Sequence, residues 1–113
     1  MESGRRDYHV LLGTRIRTLR NLKGWTQEEL GERAKVNYKF VGEIERGQQN
    51  PSFAVLVKIA RALEVGLPEL FRFERRELTR EEMEERINIL VKSLHDEDLE
   101  RMLAVLRMLY PAH

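Results

Sequence analysis

The stretch from Trp25 to Gly47, W-T-Q-E-E-L-G-E-R-A-K-V-N-Y-K-F-V-G-E-I-E-R-G, leaves this chain few ways to fold. It opens with a capping box. In T-Q-E-E the Thr26 hydroxyl accepts from the Glu29 N–H while the Glu29 carboxylate accepts from the Thr26 N–H, so a helix starts here. That helix is expected to end near Ala34. Lys35-Val36-Asn37 reads as a turn, and Asn37 as the N-cap of a second helix from Tyr38 to about Arg46, stopped by Gly47. The apolar positions Leu30, Ala34, Val36, Val41 and Ile44 suit two short helices crossing at a wide angle over a shared core. The small Ala34 is the expected point of close approach.

The flanking sequence supplies the rest of that core. A first helix runs from Asp7, a candidate cap, to Lys23, with Leu12, Ile16, Leu19 and Leu22 at helical spacing and Gly24 as terminator. Its other face carries Arg15, Arg17 and Arg20. After a loop at Gln48-Gln49-Asn50-Pro51, Ser52 caps a fourth helix that presents Phe53, Leu56, Ile59, Ala60 and Leu63. A short fifth helix spans Leu67 to Phe71, with Pro68 in its first turn and Leu67, Leu70 and Phe71 expected to point inward.

T-Q-E-E-L, then V-N-Y-K-F-V-G-E-I-E-R-G, then N-P-S-F-A-V-L-V-K-I-A-R-A-L-E-V-G-L-P-E-L-F resembles the helix-turn-helix family of lambda-type phage repressors and Cro, the Xre family. The resemblance covers residues 10 to 72 and rests on several separated motifs in the same order. It implies a five-helix, lambda-repressor-like domain that binds operator DNA as a dimer, with the helix-turn-helix motif at residues 26–46. It also implies that Arg20 pairs with Glu45, just before R-G, as a structural ion pair locking the first helix to the recognition helix. Bidentate guanidinium–carboxylate geometry makes such a pair directional.

In a helix-turn-helix the start of the second helix enters the major groove. Here that part is Asn37, Tyr38 and Lys39, with Glu43 one turn on. Lys39 is suited to guanine O6 and N7, Glu43 to cytosine N4, and Tyr38 to a thymine methyl or a phosphate. Gln27 corresponds to a family residue that meets a phosphate at a helix N-terminus. Arg46, Gln48 and Asn50 lie where the following loop runs beside the sugar-phosphate chain. Val41 is assigned to the core and Phe40 to its edge.

Beyond residues 73–78, a charged connector, Thr79-Arg80-Glu81-Glu82 is a second capping box. The helix it opens carries Met83, Ile87, Leu90 and Leu94 at spacings of four, three and four. A last helix, with Asp96 as the expected cap, carries Leu99, Met102, Leu103, Leu106, Leu109 and Tyr110 on one side, and Pro111 closes it. A two-helix hairpin of this size cannot bury both stripes alone, so at least one needs another surface, the first domain or a second copy. The short charged connector and the heptad-like spacing favour a second copy, and residues 79–113 are expected to self-associate. The whole chain is thus expected to be all-α, a five-helix DNA-binding domain followed by a C-terminal hairpin, with residues 1–9 as a flexible start whose Arg5 and Arg6 could touch DNA.

Charge agrees with this division of labour. Residues 1–77 hold 15 Lys and Arg against 11 Asp and Glu, whereas residues 78–113 hold 5 against 8, so the basic part is the one with the DNA motif. The length of 113 residues allows one domain, or one small domain with an appendage. With no cysteine there is neither a disulfide framework nor a thiolate zinc site. Apolar runs such as Val55 to Val57 are too short to span a bilayer, and M-E-S-G-R-R-D-Y-H lacks a signal-peptide core. A cytoplasmic protein with no membrane partner is expected.

Enzyme chemistry finds no support. His9, His95 and His113 lie far apart with no ligand-spaced partner, Glu81, Glu82, Glu84 and Glu85 read as a solvated helical face, and Gly42 and Gly47 do not form a phosphate loop. No cofactor and no metal site are expected. The sequence reading is therefore a transcriptional regulator, a repressor, that binds double-stranded DNA at a palindromic operator as a homodimer, with assembly into tetramers left open. An alternative is an antitoxin-like or switch protein whose C-terminal helices bind a different, regulatory protein. A ligand-sensing repressor is disfavoured because so few residues follow the first domain.

Overall fold

Asp7 opens α1 (Tyr8–Lys23) by accepting a hydrogen bond from the His9 N–H at 3.0 Å, and Gly24, at φ 74°, closes it in the left-handed conformation that glycine adopts without a Cβ clash. The computed structural model describes residues 7–73 and 78–111. It divides into two units, Met1–Phe73 and Glu74–His113. In the first unit α2 (Gln27–Ala34), α3 (Tyr38–Glu45) and α4 (Phe53–Leu63) follow α1, and a 3₁₀ segment (Leu67–Phe71) ends the series. The fifth helix of the sequence reading is therefore a 3₁₀ turn.

Each start has its cap. Thr26 and Glu29 form the reciprocal capping box of α2 at 3.0 and 2.8 Å, Asn37 Oδ1 accepts from the Lys39 N–H at 2.8 Å, and Ser52 Oγ accepts from the Val55 N–H at 3.2 Å. With their ends satisfied, these short helices gain most of their stability from the core they share. Ile16, Leu30, Val41, Ile44, Ile59, Leu63 and Leu70 are fully buried there, at least one from every element of the unit.

Two inward assignments fail. Leu22 is 78% exposed because α1 has run past the core by its last turn, and the stripe has rotated to the edge. Phe71 is 42% exposed. The 3₁₀ period of three eclipses Leu67 and Leu70 on one face, so Leu70 is buried and Phe71 is turned a third of the way round. Ala34 is buried in the core, and Gly31 in the same helix also lies against the turn: a Cβ on Gly31 would lie 2.6 Å from the Val36 carbonyl oxygen. At Gly13 a Cβ would collide with the backbone of α3, at the Ile44 carbonyl and 2.6 Å from that of Glu45. Glycine there lets α1 lie directly against α3.

The second unit consists of α5 (Arg80–Ser93) and α6 (Asp96–Leu109), joined across Leu94 and His95. Thr79 and Glu82 form the capping box of α5. His95, not Asp96, is the N-cap of α6 and makes no side-chain cap; Asp96, Glu97 and Asp98 occupy the first turn, where the helix dipole favours them. Neither helix contains a buried residue. Met83, Leu94, Leu99 and Leu109 are half-buried, while Ile87, Leu90, Met102, Leu103, Leu106 and Tyr110 are exposed.

Tyr8 and His9, expected in the flexible start of residues 1–9, belong to α1. Arg5, Arg6, residues 74–77 of the connector and His113 lie outside the described residues. Among the described residues no helix is long and apolar enough to cross a membrane, and no group of His, Asp and Glu could hold a metal ion.

Candidate nucleic-acid interface

Glu45, the last residue of α3, organises the candidate interface from behind. It is the one buried charged residue among those described, and its carboxylate is fully shielded from solvent. A carboxylate in that position requires donors on every side. Arg20 supplies two, Nε to Oε2 at 2.6 Å and Nη2 to Oε1 at 2.9 Å, and its remaining Nη1 donates to the Trp25 carbonyl at 2.7 Å. One guanidinium thereby ties α1 to the end of α3 and to the residue that precedes the α2 cap. Gln27 Nε2 adds a bond to Oε1 at 3.0 Å, and Arg17 Nε reaches the same oxygen at 3.5 Å.

Burial alone would push the Glu45 carboxyl up. The hydrogen bonds from Arg20 and Gln27, the Arg20 charge and the Arg17 contact outweigh it and hold the group below the ordinary carboxylate value of 4.5. Arg20 is raised in turn by its bond to Glu45. The pair is ionised throughout the neutral range.

With its end held in this way, α3 presents its first turn outward. Tyr38 is 44% exposed and Lys39 is exposed, with no side-chain partner for Lys39 among the described residues. Asn37 is exposed but its Oδ1 is engaged in capping. Glu43, half-buried, accepts from Gln49 Nε2 at 3.1 Å. Arg46 Nε donates to Gln48 Oε1 at 3.1 Å, and Asn50 is exposed. Asn37, Tyr38, Lys39, Glu43, Arg46, Gln48 and Asn50 thus share α3 and the loop that leaves it. Gln27 sits on α2 with its side-chain amide turned inward to Glu45, so only its backbone N–H and the neighbouring first-turn groups face outward without an intrahelical acceptor.

Several supporting residues were not singled out from the sequence. Gln49 restrains Glu43. Arg15 fixes the 3₁₀ segment to α1 through the Glu69 carbonyl at 2.9 Å and its carboxylate at 3.3 Å. The Arg33 guanidinium stacks 4.4 Å from the Trp25 ring centroid, bracing the start of α2. No local motif announces these contacts, since the partners of Arg15 lie far along the chain. Arg17 is the exception, because it stands one turn before Arg20 on the same helix face.

The helix-turn-helix family model, HTH_3, matches residues 16–70. The uncharacterized HTH-type transcriptional regulator YazB of Bacillus subtilis is 41% identical over 58 residues, which span 51% of this chain and 84% of that protein. Among solved structures, the restriction-modification controller protein C.AhdI from Aeromonas hydrophila is 41% identical, with a TM-score of 0.55 over 56% of this chain and 96% of that one. The clp gene regulator ClgR from Corynebacterium glutamicum is 26% identical with a TM-score of 0.55, covering 92% of this chain and 95% of its own. A buried Arg–Glu bolt behind an outward-facing second helix, a capped turn of three residues before it, and these relatives together establish that the chain belongs to the helix-turn-helix family of DNA-binding transcriptional regulators.

Proposed function

We propose that this protein is a cytoplasmic repressor that binds a palindromic operator as a homodimer, each copy placing α3 in the major groove. The observation that carries the reading is the contrast along α3: its last residue is buried and bonded from two other helices, while its first turn offers Tyr38 and Lys39 free to solvent. A rigidly held helix with free polar groups at its N-terminal end is what base readout requires. Lys39 would read guanine, Glu43 would accept from cytosine N4 with Gln49 steadying its carboxylate, and Tyr38 would meet a thymine methyl or phosphate. Asn37 serves chiefly by capping the helix that carries them. Gln27, through the first turn of α2, and Arg46, Gln48 and Asn50 would position the domain on the backbone.

The second unit supports the dimer. Ile87, Leu90, Met102, Leu103, Leu106 and Tyr110 are all at least 45% exposed, an apolar surface that a second copy would cover. A two-fold assembly would read half-sites about 10 base pairs apart, or a multiple of that. The same surface suits a different partner chain, the switch-protein reading; purified full-length protein of dimeric mass favours the homodimer, and a monomer that becomes soluble only with a second gene product favours the switch.

Selection of bound duplexes from a random-sequence library at near-physiological salt tests the function directly. An enriched inverted repeat is expected, and the absence of any enriched sequence would refute sequence-specific binding. On that selected site Lys39→Ala should cost roughly 1–3 kcal/mol and relax preference at one base pair, while Arg46→Ala, at an exposed backbone-positioning residue, should weaken all sequences evenly.

A further inference from the structure

The Glu45 carboxylate faces more positive charge than it can neutralise. Oε1 accepts from Arg20 Nη2 at 2.9 Å and from Gln27 Nε2 at 3.0 Å, and Arg17 Nε stands 3.5 Å from the same atom. Two guanidinium groups thus share one carboxylate, which leaves the cluster with a net positive charge. That charge belongs to the accessible member: the Arg17 side chain is 51% exposed, against 11% for Arg20. Arg20 is geometrically committed, with its Nε, Nη1 and Nη2 all donating at 2.9 Å or less. Arg17 has one long bond to an oxygen already satisfied twice.

Its position gives the spare charge a use. Gln27 is the first residue of α2, so the cluster lies at the helix end whose first N–H groups lack intrahelical acceptors. Glu28 and Glu29 in the same turn offset much of the positive field there, so the helix end alone is a poor anion site. On the other side, a Cβ on Gly42 would lie 3.1 Å from Gln27 Oε1 and 3.2 Å from Arg46 Nη1, so the glutamine and the exposed Arg46 guanidinium both reach the face of α3 at Gly42. Arg17 and Gln27 thus meet at Glu45 Oε1, and the Arg46 guanidinium adds a second exposed cation on the face of α3 at Gly42.

We propose that Arg17 is a DNA-phosphate ligand, exchanging its long contact with Glu45 for a phosphodiester oxygen of the strand that passes the start of α2. This rests on the DNA-binding reading and adds α1 to the surface that positions the domain. Arg20 keeps Glu45 satisfied after the exchange, so binding leaves no buried carboxylate unpaired.

The test is the salt dependence of binding to a mixed-sequence duplex, measured with the full-length protein. Each phosphate neutralised contributes about 0.9 to the slope of log affinity against log salt. Arg17→Ala should lower that slope by about one, so that its affinity deficit relative to the unaltered protein shrinks about 3.5-fold between 50 and 200 mM salt. Arg17→Lys should restore the slope. The unfolding midpoint reported by Trp25 should be unchanged in both variants. An unchanged slope in Arg17→Ala, whether or not the midpoint falls, overturns the assignment while leaving DNA binding intact. Absence of salt-sensitive binding by the unaltered protein overturns the DNA-binding reading and this inference with it.

Discussion

Removing Arg20 isolates the interaction that holds the end of α3. Arg20→Met deletes two donors to a carboxylate that is fully shielded, at 2.6 and 2.9 Å, together with the bond to the Trp25 carbonyl. Breaking a buried pair from one side typically costs 3–5 kcal/mol; because Gln27 and Arg17 still touch Glu45, the low end applies, about 3 kcal/mol. For a unit of this size that corresponds to roughly 12–24 °C in melting temperature. Glu45→Leu should cost less, about 2 kcal/mol, since Arg20 keeps the Trp25 carbonyl and lies nearer solvent. The double variant buries no charge and fills the volume with apolar atoms, so it should cost no more than about 2 kcal/mol, leaving a coupling of about 3 kcal/mol between the two sites. Urea unfolding at pH 7 measures this, with fluorescence of the single tryptophan, Trp25, as a probe confined to the first unit. Additive single and double variants would show that the two side chains contribute independently and would refute the account of Glu45 as a shared anchor.

The same carboxylate predicts the acid limb of stability. Its folded pKa lies below the unfolded value near 4.5, so its contribution is complete above that value and is lost as pH falls through the folded pKa. The urea midpoint should fall below pH 4.5, and Glu45→Gln should flatten that fall; an identical acid profile in the variant would refute the assignment. Gly13→Ala should destabilise the first unit by about 2 kcal/mol, because the new methyl meets the backbone of α3 instead of a movable side chain, and a variant melting at or above the parent temperature would contradict that geometry. Leu103→Asp or Leu106→Asp should convert a dimer to a monomer by sedimentation without changing the Trp25 unfolding midpoint, and a dimer that persists would move the interface off α6. The Arg20→Met, Glu45→Leu double should lose discrimination between a selected site and random DNA by more than it loses stability, as read from competition binding; full discrimination would mean that apolar packing alone orients α3.

How much of this was legible depended on whether the chemistry was local. Thr26 with Glu29, Thr79 with Glu82, and the single caps Asn37 and Ser52 act within three residues of themselves, and helix starts followed from them. The turn between α2 and α3 was located although Lys35 adopts φ 59° without being glycine; Asn37 and the apolar spacing carried that reading. Leu22 and Phe71 were misplaced because helical spacing fixes a face but not where the core ends or when a helix tightens to 3₁₀. Gly13 carried no signal of its own, since its role appears only when the carbonyls of Ile44 and Glu45, some thirty residues later, lie against it. The inward turn of the Gln27 amide and the Gln49–Glu43 bond depend in the same way on a folded neighbour.

A buried ion pair is a costly way to stabilise so small a unit, and apolar residues of similar volume would serve stability nearly as well. What apolar packing lacks is direction. Ile44, Val41 and Leu30 hold α3 against the core, but contacts of that kind tolerate rotation of a short helix about its own axis and small shifts along it. The fork of Arg20 does not, because both of its bonds to Glu45 lengthen if the end of α3 turns or slides. Gln27 then ties the start of α2 to the same atoms. The register so fixed is the one the proposed base readout would need: the angle at which Tyr38 and Lys39 leave the surface, relative to the first turn of α2. On the proposed reading, orientation of α3 for recognition, more than stability, accounts for an Arg–Glu pair at this position.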